Sequence, residues 1–134
     1  MRRNNATLNG QLARVISETG HTDQIVVTDA GLPIPSPVER IDLALKAGLP
    51  AFLDVLDVVL NELQIEGAAL SEEIRSASPQ MLAEITKRLT AVGVTATFGP
   101  HTEFKAAAAG ARAAVRSGEF TPFANVLLTA GVVY

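Results

Sequence analysis

The stretch from Leu8 to Gly31, LNGQLARVISETGHTDQIVVTDAG, decides the fold class. Its first half sets Leu8, Leu12, Val15, Ile16 and Thr19 at helical spacing, and Gly20 stands where such a helix stops. Its second half holds the β-branched run Gln24-Ile25-Val26-Val27-Thr28, which predicts a buried strand. The run ends at Asp29-Ala30-Gly31, and Pro33 and Pro35 forbid its continuation. A helix leading through a short turn into a buried strand is a unit of a layered α/β domain.

Working outward, Pro33 to Pro37 is a loop, and Arg40 to Leu45 predicts a short strand ended by Gly48. Pro50 suits the first turn of a helix whose apolar face is Phe52, Val55, Leu56, Val59, Leu60 and Leu63. Ile65 to Leu70 predicts another strand, weakened by Glu66-Gly67, while Ser71 to Ala77 is ambiguous. Ser78-Pro79 is an N-cap and first-turn pair for a helix carrying Met81, Ile85, Leu89 and Val92 and closed by Gly93. Val94 to Phe98 reads as a strand. Thr102 caps a further helix carried by Phe104, Ala107, Ala108, Ala111 and Val115 and ended by Ser117-Gly118. Its small surface, Ala106 to Ala109, would let another element or a neighbouring subunit approach closely. Asn125 to Thr129 is a last strand, with Val132-Val133-Tyr134 beyond Gly131. The order α-β-β-α-β-α-β-α-β predicts one domain over residues 1–134, a three-layer α/β/α fold around a central, mostly parallel or mixed sheet.

A chain of 134 residues with 48% hydrophobic and 19% charged residues is ordinary for one globular domain. With five Phe, one Tyr and no Trp, the core has to be built from Ala, Val, Leu and Ile. The net charge of −3 and the lack of a basic stripe, Arg2-Arg3 being an isolated pair, speak against a nucleic-acid partner. The absence of cysteine excludes a thiol nucleophile, a disulfide framework and a Cys-based zinc site. No stretch approaches the roughly 18 apolar residues of a membrane span. The most apolar region, Leu49 to Leu63, is broken by Asp54, Asp57, Asn61 and Glu62. No apolar segment follows the early arginines, so the sequon Asn5-Ala6-Thr7 is read as chance and a cytoplasmic location is expected.

Only two histidines exist. His21 lies in the turn Gly20-His21-Thr22-Asp23, ahead of the first strand, and His101 follows the strand predicted at Val94 to Phe98. Asp29 sits at the carboxyl end of the first strand. Ligands of open α/β sheets gather outside the carboxyl ends of the strands, which is where Asp29 and His101 fall. Plainer readings stand beside this one: a solvated loop histidine, and an Asp that only shapes an Asx-turn. There is no helical His pair to suggest a metal site, no Gly-x-Ser-x-Gly elbow, and no phosphate-loop or dinucleotide fingerprint. The residues alone reach an α/β domain with a His/Asp site.

Four blocks add a family resemblance. GHTDQIVVTDAGLPIP (Gly20 to Pro35), RIDLAL (Arg40 to Leu45), HTEFK (His101 to Lys105) and RSGEFTPFANVLLTAGV (Arg116 to Val132) resemble, in order and spacing, the D-ribose pyranase family. The sister fucose mutarotases instead carry something like GHGD followed by DANFP. The resemblance implies cofactor-free interconversion of the β-pyranose and β-furanose forms of D-ribose. It implies His21 as proton donor and Asp29, His101, Lys105 and the segment Phe123-Ala124-Asn125 as substrate-binding. That segment usually reads Tyr-Ala-Asn, so Phe123 lacks a hydroxyl that relatives have. It also implies a homodecamer of stacked rings with sites near subunit boundaries, and neither metal nor cofactor. A mutarotase for another sugar, or a non-catalytic sugar-binding accessory protein of ribose uptake, are the alternatives.

Overall fold

The computed structural model describes residues 1–2 and 6–134. Arg3 of the arginine pair and Asn5 of the sequon lie outside the described residues. The elements are α1 (Gly10–Glu18), β1 (Gln24–Thr28), β2 (Glu39–Asp42), α2 (Phe52–Glu62), β3 (Ile65–Ser71), α3 (Ile74–Ala77), α4 (Pro79–Ala91), β4 (Thr97–Gly99), α5 (His101–Ala108), β5 (Ala113–Arg116) and β6 (Val126–Ala130). The strands form one six-stranded sheet in the order β2-β5-β1-β6-β3-β4. β2, β5 and β1 run parallel to one another, as do β3 and β4, and β6 runs antiparallel between β1 and β3. The mixed sheet of the prediction is therefore present.

Strand alternation divides the core in two. Ile25 and Val27 of β1, Val126 and Leu128 of β6, and Ala113 and Val115 of β5 face one large cluster with Leu12, Phe52, Leu56, Ile85 and Leu89 of the helices. Val26, Leu127 and Ala114 face the other way, onto Phe104 and Ala108 of α5 with Leu32 and Val38. Helices on both faces give the three layers, and an unalternating apolar run such as Ile25-Val26-Val27 is what a strand covered on both sides requires. Among the described residues, no helix is long and apolar enough to cross a membrane.

Several boundaries differ from the sequence prediction. The Ala-rich helix does not run to Val115. It ends at Ala108, and Ala113 to Arg116 form β5, between β1 and β2. Alanine favours helix locally, but Ala113, Ala114 and Val115 are at most 1% exposed, and two flanking strands outweigh a propensity of a few tenths of a kcal/mol per residue. Thr102 is not the cap of α5. The helix starts at His101, whose backbone N–H is taken by the Glu73 carboxylate at 2.8 Å. Ser78 does precede α4, but its hydroxyl donates to the Pro122 carbonyl at 2.7 Å rather than capping the helix. Leu8 lies ahead of α1 and is exposed. The helix is capped by Asn9, whose side chain accepts the Leu12 N–H at 2.8 Å. The strand predicted from Val94 occupies only Thr97–Gly99, and the ambiguous segment after Ser71 contains α3.

Candidate functional site

The carboxyl ends of β1, β5, β3 and β4 share one edge of the sheet, and the reversed strand β6 brings its amino end to the same edge. Asp29, which follows β1, and Asn125, which precedes β6, therefore meet. The Asp29 N–H donates to Asn125 Oδ1 at 2.9 Å, and Asn125 Nδ2 donates to Asp29 Oδ2 at 3.1 Å. The other oxygen, Asp29 Oδ1, accepts the N–H groups of Gly31 and Leu32, each at 2.9 Å. Asp29 is thus both an Asx-turn residue and a group at the expected edge. Asn125 is buried, so its amide orientation follows from the Asp29 bonds.

His101 arrives from β4, on the far side of β3. Its Nδ1 lies 2.7 Å from the hydroxyl of Ser71, the last residue of β3, which is fully buried. Nδ1 is the one hydrogen-bond partner of that hydroxyl among the described residues, so the hydroxyl donates to it; the reverse direction would leave a buried O–H without an acceptor. The ring then carries its proton on Nε2, which is left for a ligand. Phe123 stands edge-on to the imidazole at 5.0 Å between centroids, and Phe104 lies parallel to it at 6.1 Å. Phe123 has φ +62°, an uncommon conformation for a residue with a Cβ. Strained backbone of this kind persists where the surroundings over-determine it, often at ligand sites.

A cleft of about 500 Å³ opens between the Asp29–Asn125 pair and the His101–Phe123 pair. Of the candidate residues named from the sequence, Asp29, His101, Phe123 and Asn125 line it, together with Arg116, Glu119 and Phe120, which were not named. Arg116 donates to both Asp42 oxygens at 3.1 Å and to the Ala30 carbonyl at 3.1 Å, which ties the end of β5 to the loop after β1. Burial pushes the Glu119 carboxyl up, but hydrogen bonds from the Phe52 N–H and from Thr121 and Phe120 outweigh it and hold it below the usual carboxylate range. The walls thus combine fixed donors and acceptors with aromatic rings, a lining suited to a small polyhydroxylated ligand.

Three predicted residues stand apart. Ala124 is fully buried and does not line the cleft. Lys105 is exposed on α5, one turn past His101, and does not line it either. His21 lies at the opposite edge of the sheet, ahead of β1. The five steps from Gln24 to Asp29 alone span roughly 16 Å at ~3.3 Å per residue. There the imidazole Nε2 is 2.9 Å from Glu66 Oε2. Of the residues the prediction missed, Arg116 and Glu119 were hidden by reading Ala113 to Arg116 as helix. A strand ending at Arg116 beside β1 would have exposed them. Ser71 and Glu73 carry no sequence signal for their contacts with His101.

A model of the RbsD / FucU transport protein family matches residues 2–133. A D-ribose pyranase of Laribacter hongkongensis is 52% identical over 130 residues, covering 97% of this chain and 98% of that protein. A D-ribose pyranase of Geobacillus kaustophilus is 46% identical over 127 residues, covering 95% and 92%. Among solved structures, Bacillus subtilis RbsD complexed with D-ribose superposes with a TM-score of 0.93 at 39% identity over 100% of both chains. The fucose mutarotase of Streptococcus pneumoniae, in complex with L-fucose, shares the fold at a TM-score of 0.81 and 22% identity, over 95% of each chain.

Proposed function

We propose, from the premise that this chain belongs to the RbsD / FucU transport protein family, that it is an isomerase interconverting the pyranose and furanose forms of D-ribose. The observation that carries this reading is the cleft of Asp29, His101 and Asn125, in a fold that matches a ribose-bound relative end to end. The curated relatives named above are D-ribose pyranases, matched over nearly the whole of each chain.

The chemistry is proton transfer. Opening the pyranose hemiacetal removes a proton from the anomeric hydroxyl and delivers one to the ring oxygen, giving the aldehyde. Closure through the C4 hydroxyl instead of the C5 hydroxyl, with the reverse transfers, gives the furanose. Atoms balance without any cofactor. Asp29 and the Asn125 segment accept and donate to sugar hydroxyls, His101 Nε2–H donates, and the ring of Phe123 forms an apolar wall. Ala124 contributes to the segment's shape, and Lys105 acts from outside the cleft as this chain stands. His21 is the proton-transfer group, since an imidazole can accept a proton at one ring nitrogen and donate one in return.

His21 and the cleft occupy opposite edges of one sheet, so the catalytic site on this reading is completed between copies. A contact joining one edge of a protomer to the other edge of the next is head-to-tail, and head-to-tail contacts whose rotation closes make rings. That supports the ring assembly, a homodecamer of stacked rings, in a single-domain cytoplasmic protein.

Saturation transfer between the NMR signals of ribopyranose and ribofuranose tests the reading. Catalytic amounts of protein should accelerate exchange for ribose and not for fucose, and His21→Ala should abolish it with the fold intact. Ribose binding without faster exchange would identify a sugar-binding protein instead, and unchanged exchange in folded His21→Ala would remove His21 from the mechanism.

A further inference from the structure

We propose that Glu66 is the positioning residue of His21, an inference that rests on His21 being the proton-transfer group. The contact is direct, Nε2 to Oε2 at 2.9 Å, but the side chains are 53% and 45% exposed. A pair so exposed is by itself a weak interaction. The backbone is what sets it apart from an incidental surface pair.

Glu66 is the extra residue of a β-bulge. Ile65 pairs with Ala130 and Gly67 with Thr129, so nothing on β6 opposes Glu66. Bulges re-aim a side chain out of the regular pleat, often beside functional groups. The partner turn is equally contrived: Thr22, next to His21, holds φ +70°, a conformation that a residue with a Cβ seldom adopts. Both devices are fastened to the same end of β6. The Ala130 carbonyl accepts the Thr22 N–H at 2.9 Å, and the Gly131 N–H donates to the Gln64 carbonyl at 2.9 Å. Gly131 also lets the chain pass close to Glu66, since a Cβ there would stand 3.2 Å from Glu66 Cβ. The neighbouring carboxylate, Asp23, is otherwise engaged. It accepts the Gly20 N–H at 2.9 Å and faces Arg112 at 3.5 Å.

The chemical consequence is a defined tautomer. With Nε2–H donated to Glu66, the lone pair of the neutral ring sits on Nδ1. That atom takes the proton from the anomeric hydroxyl or, once protonated, delivers it to the ring oxygen. The carboxylate fixes the ring and stabilises the imidazolium that forms between the two steps, the service an orienting carboxylate gives a general-base histidine.

Two measurements test this: the turnover and half-saturation of ribose exchange, and the imidazole nitrogen signals of 15N-labelled protein, which report the tautomer without reference to activity. Wild-type His21 should be protonated on Nε2 when neutral. Glu66→Ala should abolish that preference and lower turnover about 10- to 100-fold, part of the ~10²–10⁴ that a positioned acid–base group contributes, with half-saturation unchanged because Glu66 acts through His21 and not through the groups that hold ribose, Asp29, His101 and Asn125. Glu66→Gln, which retains an acceptor without the charge, should restore the tautomer and part of the turnover. Full turnover in Glu66→Ala while His21→Ala is inert, or a wild-type His21 protonated on Nδ1, overturns the proposal alone. Full turnover in His21→Ala overturns the reading of His21 itself.

Discussion

If the cleft of one copy works with His21 of another, two inert variants should rescue each other. His101→Ala removes a donor from the cleft and leaves His21 intact; His21→Ala does the reverse. Within one chain the two edges are roughly 16 Å apart along β1 alone, whereas proton transfer needs heavy atoms within about 3 Å or one bridging water. Side-chain rotation cannot close that gap, because β1 is a central strand with buried neighbours on both sides. In assemblies formed from equal amounts of the two variants, half the clefts are intact, and half of those face an intact His21. About one quarter of the wild-type exchange rate should return, provided the contact is head-to-tail. The assay is saturation transfer on co-expressed, doubly tagged assemblies, with each parent measured separately. Mixed assemblies as inert as their parents, though folded and of the same mass, would refute the shared-site reasoning.

Other expectations test single features of the fold and cleft. An alanine Cβ at Gly118 would fall 2.4 Å from the Leu49 carbonyl oxygen and 2.5 Å from that of Lys46, so Gly118→Ala should lower the denaturation free energy by about 1–3 kcal/mol, read from urea midpoints. Phe123→Tyr keeps the ring against His101 and adds a hydroxyl, worth roughly 0.5–1.5 kcal/mol if it bonds ribose; titration should show affinity improved tenfold or less, and a wild type inert where the Tyr variant is active would make the phenol catalytic. Glu119 has a folded pKa below its ordinary value, so its carboxylate stabilises the fold above the unfolded pKa and that contribution is lost as pH falls through the folded one. Glu119→Gln should therefore narrow its stability deficit against wild type as pH drops below about 4.3, and a gap constant with pH would rule the carboxylate out.

What could be read from the chain followed hydrophobic pattern and local turn chemistry. Ile25-Val26-Val27 announced a doubly covered strand, and Asp29 before Gly31 announced a turn, because both depend on neighbours in sequence. β5 could not be read. Ala113-Ala114 is locally helical, and only burial between β1 and β2 makes it a strand. That one misreading also concealed Arg116 and Glu119, since a residue's nearness to Asp29 depends on which strand lies beside β1. Ser71 and Glu73 escaped for a related reason: their contacts with His101 cross 30 and 28 residues. The proposed catalytic and binding residues were visible together only through family resemblance, which pools positions that one chain holds apart.

The reversed strand accounts for that separation. Were β6 parallel to β1, Asn125 would emerge at the His21 edge, and Asp29 would lose the partner that takes both its N–H and one carboxylate oxygen. Running antiparallel, β6 follows Asn125 on the cleft side and ends at Ala130 on the other, where the Ala130 carbonyl accepts the N–H of Thr22 beside His21. A single buried strand therefore braces both the edge proposed to bind sugar and the edge proposed to transfer the proton. Shifting β6 by one residue against β1 would turn Val126 and Leu128 out of the larger core and Leu127 out of the smaller. The packing that holds β6 in register thus also fixes the spacing of the two edges, and in the proposed ring of copies complementary edges would meet without either rearranging.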